Sequence, residues 1–334
     1  VDAALVGTAA MRRAALRFGI ADHPNERRVN TVPMPRAGGF AVAVVFVVVG
    51  GGLVAGAHAL GIDGGVDAAR VAGPGGVALV LGTAVAALLG LVDDRRDLRA
   101  RWQLLGQSVI ALVPLAFGIR ILAVANPLGT GSLLLPDALG VAATLFWIIG
   151  MQNSMNFIDG LDGLSGGITL IAAVTLGAIA SPASPLLAAL CFALAGATAG
   201  FLVFNFYPAS IYMGTSGIQA VAYALAVLAL LGTAKVAAAL LVVGIPVIDA
   251  FFVIVGRILA GRSPYSADTT HIHQRLLAAG LSHRGVVLVL YGATTLLAAA
   301  ALILSESLSL YAFFGLLVAL GGLVATLGRR GAGR

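Results

Sequence analysis

Charge is the scarcest property of this chain. Only 10% of its 334 residues are Asp, Glu, Lys or Arg, while 60% are hydrophobic. A soluble domain carries about 25% charge, so a soluble globular fold is excluded and a polytopic membrane protein is implied. Length alone would suggest two soluble domains, but that expectation does not apply to a helical membrane bundle. Residues 1–334 are read as one integral membrane domain. Cysteine is nearly absent: Cys191 lies in an apolar run, which excludes an intrachain disulfide and a cysteine metal site. No cleavable signal peptide is visible, because the first apolar run is short and Arg12 and Arg13 follow at once. The sequence also shows no nucleic-acid-binding module and no repeat of the kind many secondary transporters carry.

What the chain does have is long apolar runs. They predict an all-α bundle of about ten spans, near 39–61, 74–92, 104–125, 138–152, 166–182, 185–204, 218–232, 236–256, 286–304 and 309–327. Several fall short of the roughly 20 residues a perpendicular helix needs. Ten spans place both termini on one side of the bilayer. That side collects 17 of the 20 basic residues, leaving Arg70, Arg120 and Lys235 opposite. The positive-inside rule makes the rich side cytoplasmic, and a plasma-membrane location is expected. The net charge of +6 is then chiefly a matter of orientation and attraction to anionic headgroups.

Four polar clusters interrupt the apolar runs, all on the predicted cytoplasmic side. Asp93-Asp94-Arg95-Arg96-Asp97 directly follows an apolar span. Adjacent carboxylates repel unless a cation lies nearby, and the arginines or a divalent metal could supply it. In Asn153-Ser-Met-Asn156-Phe-Ile-Asp159-Gly-Leu-Asp162-Gly the amides and carboxylates recur every three residues, so a helix would align them on one face. Such oxygen donors suit Mg²⁺ or Mn²⁺, or the hydrogen-bonding edge of a nucleobase. Asn205-Phe-Tyr-Pro208 runs into Met213-Gly214-Thr215-Ser216-Gly217, where glycines could bring backbone amides to phosphate oxygens. The fourth cluster, His271-Ile-His273-Gln274-Arg275, joins imidazoles to arginine as phosphate or diphosphate requires. Asp249 is an intramembrane carboxylate for which Arg257, two turns on, is the expected partner. His23, His58 and His283 are read as ordinary loop or span histidines. A transporter would carry polar groups at mid-span in several helices, whereas here they gather at one face.

Taken in order, these residues resemble a known family. Asp22-His-Pro-Asn-Glu-Arg-Arg28, Pro35-Arg-Ala-Gly-Gly39, the Asp93-Asp94 pair, the Asn153–Leu164 string, Asn205-Phe with Met213-Gly214, Gly261-Arg-Ser-Pro-Tyr265 and His271-Ile-His273 look like the polyprenyl-phosphate N-acetylhexosamine-1-phosphate transferases. The pentapeptide translocase of cell-wall synthesis is a more distant likeness. The His-Ile-His form and the Asp249-to-Pro264 stretch look closer to the N-acetylglucosamine-phosphate branch. The resemblance implies transfer of a sugar-1-phosphate from a UDP-sugar to undecaprenyl or decaprenyl phosphate, with release of UMP and a need for Mg²⁺ or Mn²⁺. It assigns Asp93 to deprotonating or orienting the lipid phosphate with Asp94 beside it, and Asn156 to the metal. Asn153, Asp159 and Asp162 fall on the uridine side, and His271, His273 and Arg275 on the diphosphate and sugar. The expected partners are polyprenyl phosphate, a UDP-sugar and the membrane, with a homodimer as an option and no nucleic acid.

Four positions depart from the family pattern. Thr215 stands where a metal-binding Asp is usual, Gln103 where a lysine is usual, Gln274 where a histidine is usual, and Arg27-Arg28-Val29-Asn30 replaces an Arg-Lys-x-His. A retuned enzyme is the favoured reading, because the Asp pair and the Asn/Asp string are intact. The alternative is a homologue that binds polyprenyl phosphate or UDP-sugar without turnover. The family's first span is reduced here to Val1–Ala10 within residues 1–20, so a truncated first helix is expected.

The basic asymmetry makes a direct prediction. Cysteines placed at Arg99 and Ser282 should be shielded from an impermeant thiol reagent in intact cells, and one at Asp67 should label. Labelling of the first two from outside would overturn the orientation.

Overall fold

The computed structural model describes residues 1–22, 34–60, 68–126, 131–232, 236–263 and 270–331, with the side chains of Ala68 and residues 322–331 left aside. Its described residues form fourteen helices and two short antiparallel hairpins. His23, Arg27 to Asn30, Asp67, Lys235 and the Pro264-Tyr265 pair, all singled out from the sequence, lie outside the described residues.

Among the described residues, six helices are long and apolar enough to cross a membrane, or seven if one bent pair counts as a single span. They are α2 (Gly38–Ala59), α4 (Pro74–Arg96), α6 (Asp137–Ile158), α8 (Pro185–Asn205), α9 (Gly214–Leu231) and α13 (His283–Ile303). Shorter apolar helices, α7 (Leu164–Ala180) and the first part of α14 (Glu306–Gly331), accompany them. The all-α membrane bundle is as expected, but the described residues give six or seven candidate spans where about ten were predicted.

The span predicted over 104–125 is α5 (Ala100–Ala116) and stops early. Pro114 lies in its last turn and Gly118 takes a positive φ of 74°. Residues Ala123–Ala125 then enter a hairpin with Ser132–Leu134. The span predicted over 236–256 is two helices, α10 (Val236–Val242) and α11 (Gly244–Leu259), bent by 77°. Pro246 has no N–H to return to the Val242 carbonyl, so the ladder breaks there. The first helix, α1 (Asp2–Arg17), packs against α2 and α8.

The centre of the bundle is α9. Every one of its residues is buried, and α2, α4, α6, α7 and α8 surround it. Its sequence, Gly-Thr-Ser-Gly-Ile-Gln-Ala-Val-Ala, is small on the faces that meet neighbours, as close helix contacts in a bilayer require. A Cβ on Gly217 would come within 2.5 Å of the Gly39 Cα on α2, and one on Gly90 of α4 within 2.5 Å of the Ser216 Cα. Two aromatic side chains hydrogen-bond between α9 and its neighbours. Tyr223 donates to the Ala78 carbonyl at 2.8 Å, and the Trp147 indole of α6 donates to the Ala226 carbonyl at 3.1 Å. In contrast, the outer faces of the surrounding helices expose Val48, Leu81, Leu88, Phe146 and Val203, as lipid-facing surfaces do.

Because Gly90 sits on backbone atoms of α9, which cannot give way like a side-chain tip, Gly90→Ala should destabilise the α4–α9 contact by about 1–3 kcal/mol. Thermal unfolding of the detergent-solubilised variant, compared with Leu88→Ala on a lipid-side position, would measure this. Equal melting temperatures for Gly90→Ala and wild type would contradict the packing.

Candidate active site

The four polar clusters converge at one end of the bundle and touch one another. At the end of α4, Asp94 turns inward and accepts from the Thr215 amide at 2.7 Å and the Ser216 amide at 3.0 Å. These are orphan donors of the first turn of α9, so a carboxylate from another helix caps α9 and meets the positive end of its dipole. Gly214 precedes them with a φ of 73°, a conformation glycine adopts without strain. The expectation that this turn offers its amides to phosphate is thereby corrected: two of them are committed to Asp94. Arg36 stands over the same carboxylate, Nε to Oδ1 at 3.6 Å, and reaches Asp97 at 3.9 Å.

Asp93 faces a different way. Its Oδ1 accepts from the Leu98 amide at 2.9 Å and from Gln103 Nε2 at 3.1 Å. Gln103, at the position where the resemblance expects lysine, therefore still serves Asp93, but as a neutral donor. A small cleft of about 60 Å³ opens here between α4, α5 and α9. Its wall is mostly apolar, with Asp93, Gln103, Gln107, Thr215 and Gln219 as its polar members, and the exposed Val92 and Trp102 stand at its margin.

The Asn/Asp string divides between helix and loop. Asn153 and Asn156 lie on the last turns of α6, which ends at Ile158. Asp159 is the capping residue, and Asp162 lies in the glycine-rich turn before α7. One continuous helical face does not exist, because the chain leaves the helix between the second and third members. Asn153 donates to Gln107 Oε1 of α5 at 2.8 Å. Asp159 accepts from the Ser165 hydroxyl. Burial pushes the Asp159 carboxyl up to about 6, the Ser165 hydrogen bond and Arg36 oppose this, and Asp94 and Asp162 add to it. Asp162 latches two loops: its carboxylate accepts from the Ala209 amide at 2.9 Å, and its own amide donates to His283 Nε2 at 3.0 Å. Asn205 completes the latch, accepting from Gly163 and donating to the Ile211 carbonyl.

The histidines come in from a short helix, α12 (Ile272–Ala278). His271 and His273 stack with centroids 5.7 Å apart, and Phe157 covers His271 from the α6 side at 5.3 Å. His273 lies against Gly160, where an added Cβ would meet its Nε2 at 2.2 Å. Burial foremost, and then His271, hold the His273 imidazole down at about 4, so it is neutral at physiological pH. Arg275 is exposed and donates to the Thr270 carbonyl at 2.6 Å. Asp249 holds His271 Nδ1 at 2.8 Å and the Ile272 amide at 2.7 Å. That corrects the expected Asp249–Arg257 pair: the Arg257 guanidinium lies over the Phe157 ring instead.

Sequence reasoning passed over two groups. His283, read as an ordinary histidine, accepts from Asp162 and stacks on Tyr207 at 4.5 Å. Gln107 and Gln219 line the Asp93 cleft. Their only sequence signal was an amide inside an apolar span.

Fold and site together define a multi-pass helical membrane protein with a convergent carboxylate, amide and imidazole site at one end. A model described as "Glycosyl transferase family 4" matches residues 77–233. The chain is 34% identical over 325 residues to a "Probable undecaprenyl-phosphate N-acetylglucosaminyl 1-phosphate transferase" of Bacillus subtilis, covering 94% of this chain and 86% of that one. It is also 34% identical over 316 residues to a "Decaprenyl-phosphate N-acetylglucosaminephosphotransferase" of Mycobacterium tuberculosis, covering 85% of this chain and 75% of that one. A shorter match, 37% over 172 residues and 46% of this chain, is to a "Phospho-N-acetylmuramoyl-pentapeptide-transferase" of Trichormus variabilis. The chain belongs to glycosyl transferase family 4.

The raised Asp159 has a consequence for stability. Its folded value, about 6, lies above the ordinary 3.8, so the native state holds this proton more tightly than the unfolded chain does. The stabilisation is full below about 3.8 and is lost as pH rises through about 6. Thermal unfolding in detergent should show this decline, and Asp159→Asn should flatten it. An identical pH slope in the variant would contradict the assignment.

Proposed function

We propose that this protein transfers N-acetylglucosamine 1-phosphate from UDP-N-acetylglucosamine to a polyprenyl phosphate, releasing UMP, at the cytoplasmic face of the plasma membrane. The observation that carries the reading is the meeting of all four polar clusters at one end of the bundle, beside a cleft with apolar residues at its margin. The relatives named above supply the acceptor class and the sugar.

A phosphate oxygen of the lipid would attack the sugar-bearing phosphorus, forming a new diphosphate, while the bond to the UMP phosphate breaks. Both reactants are anions, so neutralisation and alignment dominate. Asp93 suits the acceptor side. Its Oδ1 is held by Leu98 and Gln103, leaving Oδ2 to orient the phosphate or take its remaining proton. A phosphate monoester has a second pKa of about 6, so little proton removal is needed. Asp94 acts by fixing the start of α9. Asp162 holds the loop that carries Asp159 and, with Asn153, the uridine side. His271 and Arg275 suit the diphosphate and sugar, and neutral His273 spaces the His271 ring from Gly160.

For Mg²⁺ or Mn²⁺ the donor chemistry fits. Among the described residues no three His, Cys, Asp or Glu are grouped to hold a metal unaided, but Mg²⁺ is commonly held by one or two carboxylates plus substrate phosphates. A carboxylate offers about four acceptor directions, so Asp94 keeps capacity beyond its two amides. Asp94, Asp159 and Asn156 would hold the ion, with Thr215 adjoining. Bound there, it would offset the charge of the diphosphate.

The test is transfer of labelled sugar phosphate from a panel of UDP-sugars to undecaprenyl phosphate by purified protein. UMP and a lipid-linked product are expected with UDP-N-acetylglucosamine, and Asp93→Asn should lower the rate by about 100-fold or more. No product with any donor would refute the reading in favour of a binding-only homologue. Thr215→Asp tests the metal position. It adds a carboxylate beside Asp94, and the Mg²⁺ concentration for half-maximal rate should fall. An unchanged Mg²⁺ dependence would place residue 215 outside the metal's ligands.

A further inference from the structure

Asp249 is a carboxylate on a membrane helix that the reaction outlined above does not use. It lies in the first half of α11, beyond the break at Val243, with its side chain only 7% exposed. A carboxylate at such a position is costly, and here both of its oxygens are occupied. Oδ2 meets His271 Nδ1 at 2.8 Å and Oδ1 accepts the Ile272 amide at 2.7 Å. An ionised carboxylate only accepts, so Nδ1 of His271 carries the proton and Nε2 is the ring nitrogen left over. Phe157 on one side and His273 on the other fix the plane of the ring, and His273 in turn rests on Gly160 of the Asp159–Asp162 loop.

We propose that Asp249 is a positioning residue: it sets the tautomer and orientation of His271, so that Nε2 is the nitrogen offered to the phosphate groups of the substrate. The role assigned to His271 rests on the transferase reading; the Asp249–His271 geometry does not. When the ring takes a second proton, Nε2–H donates to a diphosphate oxygen while Asp249 balances the charge. The same carboxylate pins the start of α12 to α11, so the bent helix and the histidine segment are held together at one point.

Asp249→Asn separates these functions. An amide has one accepting and one donating end. If its oxygen keeps the Ile272 amide, its NH₂ faces Nδ1 and drives the ring proton to Nε2. Diethyl pyrocarbonate acylates an unprotonated ring nitrogen, and peptide mass spectrometry reads each histidine separately. At about pH 8, where ordinary imidazoles are neutral, acylation of His271 should slow by about fivefold or more in the variant. His58, on α2, serves as the internal reference. An unchanged rate would show that Asp249 does not set the tautomer. A faster rate would show that it only holds α12 in place, and either result overturns the proposal.

The transfer assay gives a second readout. Asp249→Asn should lower kcat/KM by about tenfold or more, yet cost nothing further in a His271→Ala background. Equal losses in both backgrounds would also overturn the proposal. Acylation does not need turnover, so a wild-type protein that transfers nothing would refute the function proposed above and leave the Asp249–His271 result to be read by itself.

Discussion

The structure depends on a helix that meets neither lipid nor water along its length. With every residue of α9 buried, the helices around it must approach closely. They can do so because Gly39, Gly90 and Gly217 put backbone against backbone. Hydrocarbon gives helices no hydrophobic reason to associate, since lipid tails are as apolar as leucine. Packing contacts and satisfied polar groups must do that work, and α9 concentrates both.

The buried start of α9 creates the constraint from which the site follows. Its first amides have no partner within the helix and no water to turn to, and unpaired donors in such a place are costly. Asp94 satisfies two of them from α4. The groups around it repeat the arrangement: Asp162 and Asn205 tie the loops after α6 and α8 together, and Asp249 ties α12 to α11. Each of these links is made by a polar residue that the sequence marks as chemical. Part of the polar set is therefore structural scaffolding for the remainder, and Asp93, Asn156, Asp159 and His271 are among the members that keep polar atoms uncommitted to the backbone.

The departures from the family pattern read differently once they have neighbours. Gln103 keeps a hydrogen bond to Asp93 without a charge. Thr215 contributes its backbone to Asp94, a role open to any residue except proline. Neither change removes a contact that shapes the site. Both alter its electrostatics, making the Asp93 side less positive and the start of α9 less negative than the usual residues would.

The membrane bundle, the approximate positions of its helices and the four polar clusters were legible in the sequence, because apolar runs and rare polar residues are strong signals in a chain with so little charge. The helix breaks were less legible. Pro114 and Pro246 sit inside apolar stretches whose hydropathy continues unbroken, so composition could not show that α5 ends and that α10 and α11 diverge by 77°. The partners were not legible at all. Asp249 lies eight residues before Arg257 and twenty-two before His271, yet it holds the histidine, because the bend at Val243 and the return of the chain through α12 decide which group arrives. His283 becomes a ligand of the Asp162 turn in the same way, across 121 residues. Sequence alone determined the solvent this protein lives in and the kinds of polar group it carries, since both depend on residue type. Which oxygen meets which donor was decided only by the packing of helices around α9, because a hydrogen bond depends on position to within a fraction of an ångström and spacing along the chain does not supply that.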